Sequence, residues 1–201
     1  MRKYLTMLAF ALVIGCACSG CRRDPVGEGI RALDHGDTAR AERLLEQATR
    51  IQPANASAWA NLGLAQLKLG KADEAVKAFR QAAELDHDDA RPLEFIAAIQ
   101  SQRDQWKGAL DTLNEAVRRD SKSPRLLTAL AVAESHIYGP QSARTRLADV
   151  LARAPNYSPA VFNLAVLYRD GFHNPAEAEK YFRHYLKLAP SDPHAAEARA
   201  G

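Results

Sequence analysis

Residues 22 to 201 hold no cysteine; the chain's three thiols crowd together at Cys16, Cys18 and Cys21. That excludes a disulfide framework for the body of the chain and suits an oxidising compartment, where a stray thiol is a liability. Long apolar runs are missing as well. The uncharged stretch from Tyr4 to Gly15 is well short of the ~20 residues a membrane-spanning helix needs. β-Branched residues are scarce beside Ala, Leu, Arg, Glu and Gln, so helix is expected throughout and strands nowhere. No Gly/Ser linker, low-complexity tract or charge block interrupts residues 25 to 190, which leaves no seam for a second domain.

An excess of one charge is also lacking. There are 27 Lys and Arg against 24 Asp and Glu, and setting aside Arg2 and Lys3 at the N-terminus leaves 25 against 24. No basic run or aromatic-basic interleaving survives to track phosphates, so nucleic acid is not an expected partner. Catalytic motifs are absent too: there is no His-Glu-x-x-His, Gly-x-Ser-x-Gly, phosphate loop or dinucleotide fingerprint. The six histidines are scattered without ligand spacing, and the acid pairs Asp88 with Asp89 and Glu177 with Glu179 sit at helix starts, where carboxylates favour the helix dipole. Neither an enzyme nor a metal or other cofactor is expected.

What is present is a period. Small residues recur every 34 positions at Ala41, Ala75, Ala109 and Ala143, and again at Ala48, Ala82, Ala116 and Val150. Between those registers a bulkier apolar place is filled by Leu45, Phe79, Leu113 and Leu147. A further small register precedes each set, at Gly29, Gly63, Ala97, Ala131 and Ala165. Two small residues per unit imply two helices that approach closely, hence a stacked array of helical hairpins. Helices are expected near 25–35 and 38–51, 56–69 and 72–85, 90–103 and 106–119, 124–137 and 140–153, and 158–170 and 175–188. Ser158 with Pro159 and Asp192 with Pro193 read as a capping residue before a first-turn proline. In the fifth unit Ala178, Phe182 and Tyr185 fall one residue late, which places an extra residue in the turn between Asp170 and Pro175.

The clearest unit reads Trp59, Leu62, Gly63 and Gln66, then Ala75, Phe79 and Ala82. It resembles the tetratricopeptide repeat (TPR) signature of Trp, Leu, Gly, Tyr on the first helix and Ala, Phe, Ala on the second. Gln66 departs at the Tyr place, and His87 stands where the family often has proline. The resemblance implies an all-α solenoid of about five repeats, near 22–55, 56–89, 90–123, 124–157 and 158–191, wound as a right-handed superhelix, with 192–201 as a partial capping helix. Trp59 falls on a signature core place, and Trp106, which opens a second helix, is read as packing too.

The N-terminus carries a separate message. Arg2 and Lys3 precede the uncharged stretch, as in an export signal. The run Val13, Ile14, Gly15, Cys16 resembles a bacterial lipobox, which implies an export signal over 1–15, acylation of Cys16 (with Cys21 as the alternative), and a short lipidated linker over 16–24. The expected location is the bacterial cell envelope, on either membrane. Cys18 and Cys21 form a Cys-Ser-Gly-Cys run, yet no βαβ context, adjacent His or nearby ligand pair supports a redox or metal role.

In TPR proteins the first helices of successive hairpins line a concave groove for extended or helical peptides. Carrying those places over by spacing gives Asn61, Leu64 and Lys68, then Arg91, Glu94 and Phe95, then Arg125 and Thr128, then Phe162, Asn163 and Arg169. The amides and guanidinium groups suit a peptide backbone or a carboxylate. The places where a well-known variant clamps an acidic chaperone tail hold Ala60, Glu94, Thr128 and Phe162, so that clamp is absent. The resemblance therefore implies a lipid-anchored scaffold or assembly adaptor for a protein or peptide partner. The alternative is a self-assembling repeat protein at the membrane, joined through open array ends near Ile30 and Phe182.

Overall fold

Short polar side chains and prolines start the helices. Asp24, Asp37, Asn55, Ser123 and Asn174 each accept a hydrogen bond from the backbone N–H three residues on, at 3.0–3.4 Å. Proline occupies the first turn of six helices, where the N–H has no intrahelical partner. In the computed structural model, which describes residues 24–200, the order is α1 (Pro25–Asp34), α2 (Thr38–Ile51), α3 (Ala56–Lys68), α4 (Ala72–Leu85), α5 (Arg91–Gln102) and α6 (Trp106–Arg119). There follow α7 (Pro124–Tyr138), α8 (Pro140–Arg153), α9 (Ser158–Val166), a π-helical turn (Leu167–Gly171), α10 (Pro175–Leu188) and α11 (Ala195–Ala200). No strand occurs among the described residues, and the architecture is an α-solenoid of helical hairpins. The lipobox-like run and all three cysteines lie outside the described residues.

The registers become the core. Ala41, Ala75, Ala109, Ala143 and Ala178 are buried, as are Leu45, Phe79, Leu113, Leu147 and Phe182. The facing small residues set the helix approach: a Cβ on Gly63 would stand 2.8 Å from the Phe79 ring, and one on Gly29 would stand 2.6 Å from Leu45. Deeper along the hairpins, one register pair is fastened by different chemistry in units three, four and five. Thr112 donates to Gln100 at 2.9 Å, Arg146 holds the buried Glu134 through two donors, and Tyr168 stacks on Tyr181 at 5.4 Å. In unit two that place holds Gln66, whose Oε1 is buried and meets no donor.

Each of the five hairpin turns holds a residue of positive φ, Gly36, Gly70, Asp104, Gly139 or His173, and in the first three the next N–H bonds five residues back at 2.9 Å. Unit four differs. Tyr138 stands in that register, and its bulk disfavours left-handed backbone, so α7 runs on and Gly139 (φ 89, ψ 173) turns the chain. Unit five corrects the expected site of the insertion. The extra residue sits in the π-helical turn, and Asn174 N–H reaches six residues back, to the Tyr168 carbonyl at 2.8 Å. An N–H shifted by one carbonyl absorbs a residue with the hairpin intact.

Two capping expectations also move. Tyr157 takes the N-cap place of α9, so Ser158 and Pro159 both lie in its first turn, where the Ser158 N–H needs no intrahelical partner and Pro159 has none to satisfy. Asp192 accepts from the His194 N–H at 2.9 Å and from the Tyr185 hydroxyl, while α11 starts only at Ala195. Ala195 and Ala198 of α11 are buried, and Ala198 joins Val161, Ala165 and Phe182 in the last core cluster. Between units, Lys71 grips both carboxylate oxygens of Glu42 at 2.8 Å. Arg119 donates to the carbonyls of Ala83, Asp86 and Asp89 at 3.0–3.1 Å and so fixes the loop leading into α5.

Candidate functional site

Two clefts open along the first helices of the hairpins. One, of about 190 Å³, lies between α3 and α5, with Asn61, Leu64, Arg91 and Phe95 in its lining. The other, of about 390 Å³, lies between α7 and α9, with Val132, His136, Asn163 and Val166 among its walls. Asn61 and Asn163 occupy the same place in units two and five. Each donates its Nδ2 to a carbonyl one turn back, of Ser57 and Pro159 respectively, at 2.8 Å. That bond fixes the amide plane and leaves the carbonyl of both, and the second donor of Asn163, for a partner; Asn61 Nδ2 also donates to the Ser57 hydroxyl at 3.3 Å.

The groove's charges are largely matched in place. Arg91 makes a two-point pair with Asp89, with Nε and Nη2 each 2.9 Å from a carboxylate oxygen, and the guanidinium holds Asp89 below the usual carboxylate range. Arg125 pairs with Glu94 at 2.6 Å; burial raises the Glu94 carboxyl and the nearby cation partly offsets this. Neither arginine is a free carboxylate receptor, which corrects the expectation from spacing. Lys68 is exposed at the end of α3.

Phe95 is half-buried and stacks on the core ring of Phe79 at 4.9 Å, so it is both groove wall and core extension. Thr128 does not line an open groove: it is 5% exposed, flanked in register by the larger Glu94 and Phe162, and its hydroxyl has no partner. Phe162 and Arg169 are also taken out of the open groove. Phe162 packs on Tyr185 at 5.0 Å and on His194 at 4.8 Å. Arg169 pairs with Asp170 and with Glu197 of α11, at 2.7 and 3.0 Å. Burial and the bond to Asp192 push the Tyr185 hydroxyl up to about 12.

Trp59 donates its indole N–H to the Pro53 carbonyl at 2.8 Å and packs against the first core cluster. Trp106 stacks on His136 at 3.5 Å. Spacing did not single out Ser135, Pro140, Asp170 and Gly171, which also line the larger cleft. The glycine and the preceding aspartate of the late turn were the available signal. Among the described residues, no group of three or more His, Cys, Asp or Glu gathers to hold a metal ion.

A profile described as "Tetratricopeptide repeat" matches residues 26–90 and 139–193, more than half of the chain. The chain belongs to the tetratricopeptide repeat family. Superkiller protein 3 of Schizosaccharomyces pombe is 30% identical over 131 residues, 63% of this TPR chain and 9% of that protein. The chain spans 9% to 20% of the length of the curated relatives it matches. Among solved structures, MamA (41-end) from Desulfovibrio magneticus RS-1 superposes with a TM-score of 0.72 at 18% identity, covering 86% of this chain and 99% of that one. YrrB, described as a TPR protein with an unusual peptide-binding site, gives 0.68 at 17% identity, covering 88% and 91%. At these identities the likeness is one of fold.

Proposed function

We propose that this TPR array is a scaffold that holds an extended segment of a partner protein along α3, α5, α7 and α9. One observation carries the reading: Asn61 and Asn163, three units apart in one register, are pinned by the same bond, and each adjoins an apolar cleft. Asn163 so fixed can pair with a peptide N–H and C=O at once, and Asn61 can accept from a peptide N–H and donate by exchanging its 3.3 Å bond to the Ser57 hydroxyl, which reads backbone rather than charge. The in-house pairing of Arg91, Arg125 and Arg169 points the same way, toward a segment of low charge.

The scaffold is lipid-anchored at the bacterial envelope through Cys16 and serves assembly there. The lipobox-like run and the absence of cysteine after Cys21 support this part. Capture from crosslinked envelope membranes tests the whole reading. A partner should co-purify with the wild type and fall about tenfold with Asn61→Ala/Asn163→Ala, the loss of about 1.4 kcal/mol, at unchanged helicity. Undiminished capture by the double variant would sink the groove. Loss of fatty-acid labelling in Cys16→Ser is expected, and retained labelling would remove Cys16 as the anchor.

A further inference from the structure

The two departures from the regular repeat meet at one place. Unit four turns on Gly139 and Pro140, and unit five ends its first helix in a π-helical turn, a feature common at functional sites. Between them lies the larger cleft, about 390 Å³ against about 190 Å³ for the one between α3 and α5. Gly171 closes the widened turn against Pro140, where a Cβ would come within 2.8 Å of the proline ring. The cleft is therefore framed by backbone, with a wall that no larger residue could form unchanged.

Its chemistry is amphipathic. Val132, Leu147 and Val166 supply apolar walls, and Ser135, Asn163 and Asp170 supply hydrogen-bonding groups. The polar rim groups are already engaged. Asp170 is held by Arg169, whose hydrogen bonds lower its carboxyl, and the His136 ring is stacked on Trp106. A cavity of about 150 Å³ suffices for benzene, so the cleft has room for a phenol or indole ring. An acidic group entering it would lose hydration and meet the Asp170 carboxylate, and a basic one would have to compete with Arg169 for it.

We infer that the α7/α9 cleft is a specificity pocket for one bulky, uncharged side chain, with an apolar body and a hydrogen-bonding tip, carried by the segment bound in the groove. This rests on the groove reading above. N-acetyl-tyrosinamide and N-acetyl-tryptophanamide at millimolar concentration are expected to shift the amide resonances of Val132, Ser135, Asn163 and Val166. The lysine and glutamate analogues are expected not to. Val166→Phe, which fills the cleft, should weaken the aromatic amides at least tenfold, and Val132→Phe serves if the first variant misfolds. No shifts, equal shifts from the charged analogues, or full binding in a folded filled variant would overturn the pocket.

Arrayed peptides separate this from the groove itself. Peptides with a central Tyr or Trp should bind the wild type and lose at least tenfold on Val166→Phe. Equal binding to wild type and Val166→Phe, lost in Asn61→Ala, overturns the pocket and leaves the groove standing. Aromatic-amide shifts with no peptide bound by the wild type overturn the groove reading and the peptide as source, and leave the pocket's chemistry.

Discussion

The two ends of the groove carry the same repeat register and put it to different uses. At the α3/α5 end Asn61, Leu64 and Phe95 face an open cleft. At the far end Phe162 packs beneath His194 and Tyr185, and Arg169 is tied to Glu197 of α11. A groove position is thus not a property of its unit alone, because the helix that follows decides whether it stays open. In a solenoid each unit buries its face only against neighbours, so the last described hairpin uses groove residues as core. Asn163 escapes that fate: it points into the cleft toward α7, away from α11.

Substitutions can break this contrast, starting with the covered end. Phe162→Ala should destabilise the chain by about 3 kcal/mol, the low end for buried phenylalanine truncation, in urea unfolding. A loss under about 1 kcal/mol would mean that Phe162 is groove surface after all. Gly63→Ala, at the open end, should cost about 1–2 kcal/mol, because the new methyl overlaps the Phe79 ring and helix propensity returns only part of that. Stabilisation would show that α3 and α4 can move apart.

Arg169→Met should leave global stability within about 1 kcal/mol, since exposed pairs contribute little, while amide exchange over 192–200 speeds up about tenfold. Arg91→Met, whose pair is with Asp89 on its own loop, should leave that exchange unchanged. The smallest effect is on pH. The Tyr185 hydroxyl and then the His194 N–H hold Asp192 below the ordinary carboxylate value, so its contribution is present above pH ~4 and is lost as pH falls through the lowered value. Protection over 192–200, measured against the intrinsic exchange rate at each pH, should therefore fall on acidification below pH ~4, and Asp192→Asn should flatten that fall.

The sequence made the fold legible because close packing leaves few choices at Gly63, Ala75, Phe79 and their equivalents, and the same few residues recur at fixed spacing. Asn61, Leu64 and Asn163 were legible for the same reason. Hydrogen-bond register was not: a helix that slips by one carbonyl keeps its composition, so the extra residue near Asp170 read as loop. Pairing across units was also hidden. Asp89 with Arg91, Glu94 with Arg125 and Arg169 with Glu197 depend on rotamers and on neighbours 2 to 31 residues away. Thr128 was misplaced because spacing gives the face of a residue and not its depth, and this one is 5% exposed.

The most direct measurement is site-specific photocrosslinking with a benzophenone side chain at Ser57 and His136, the exposed edges of the two clefts, beside Lys77 and Thr145, exposed on α4 and α8. The account predicts that one contiguous partner segment is captured from both Ser57 and His136, and none from Lys77 or Thr145. Crosslinks of equal strength from α4 and α8, or adducts of the chain with itself alone, would contradict it.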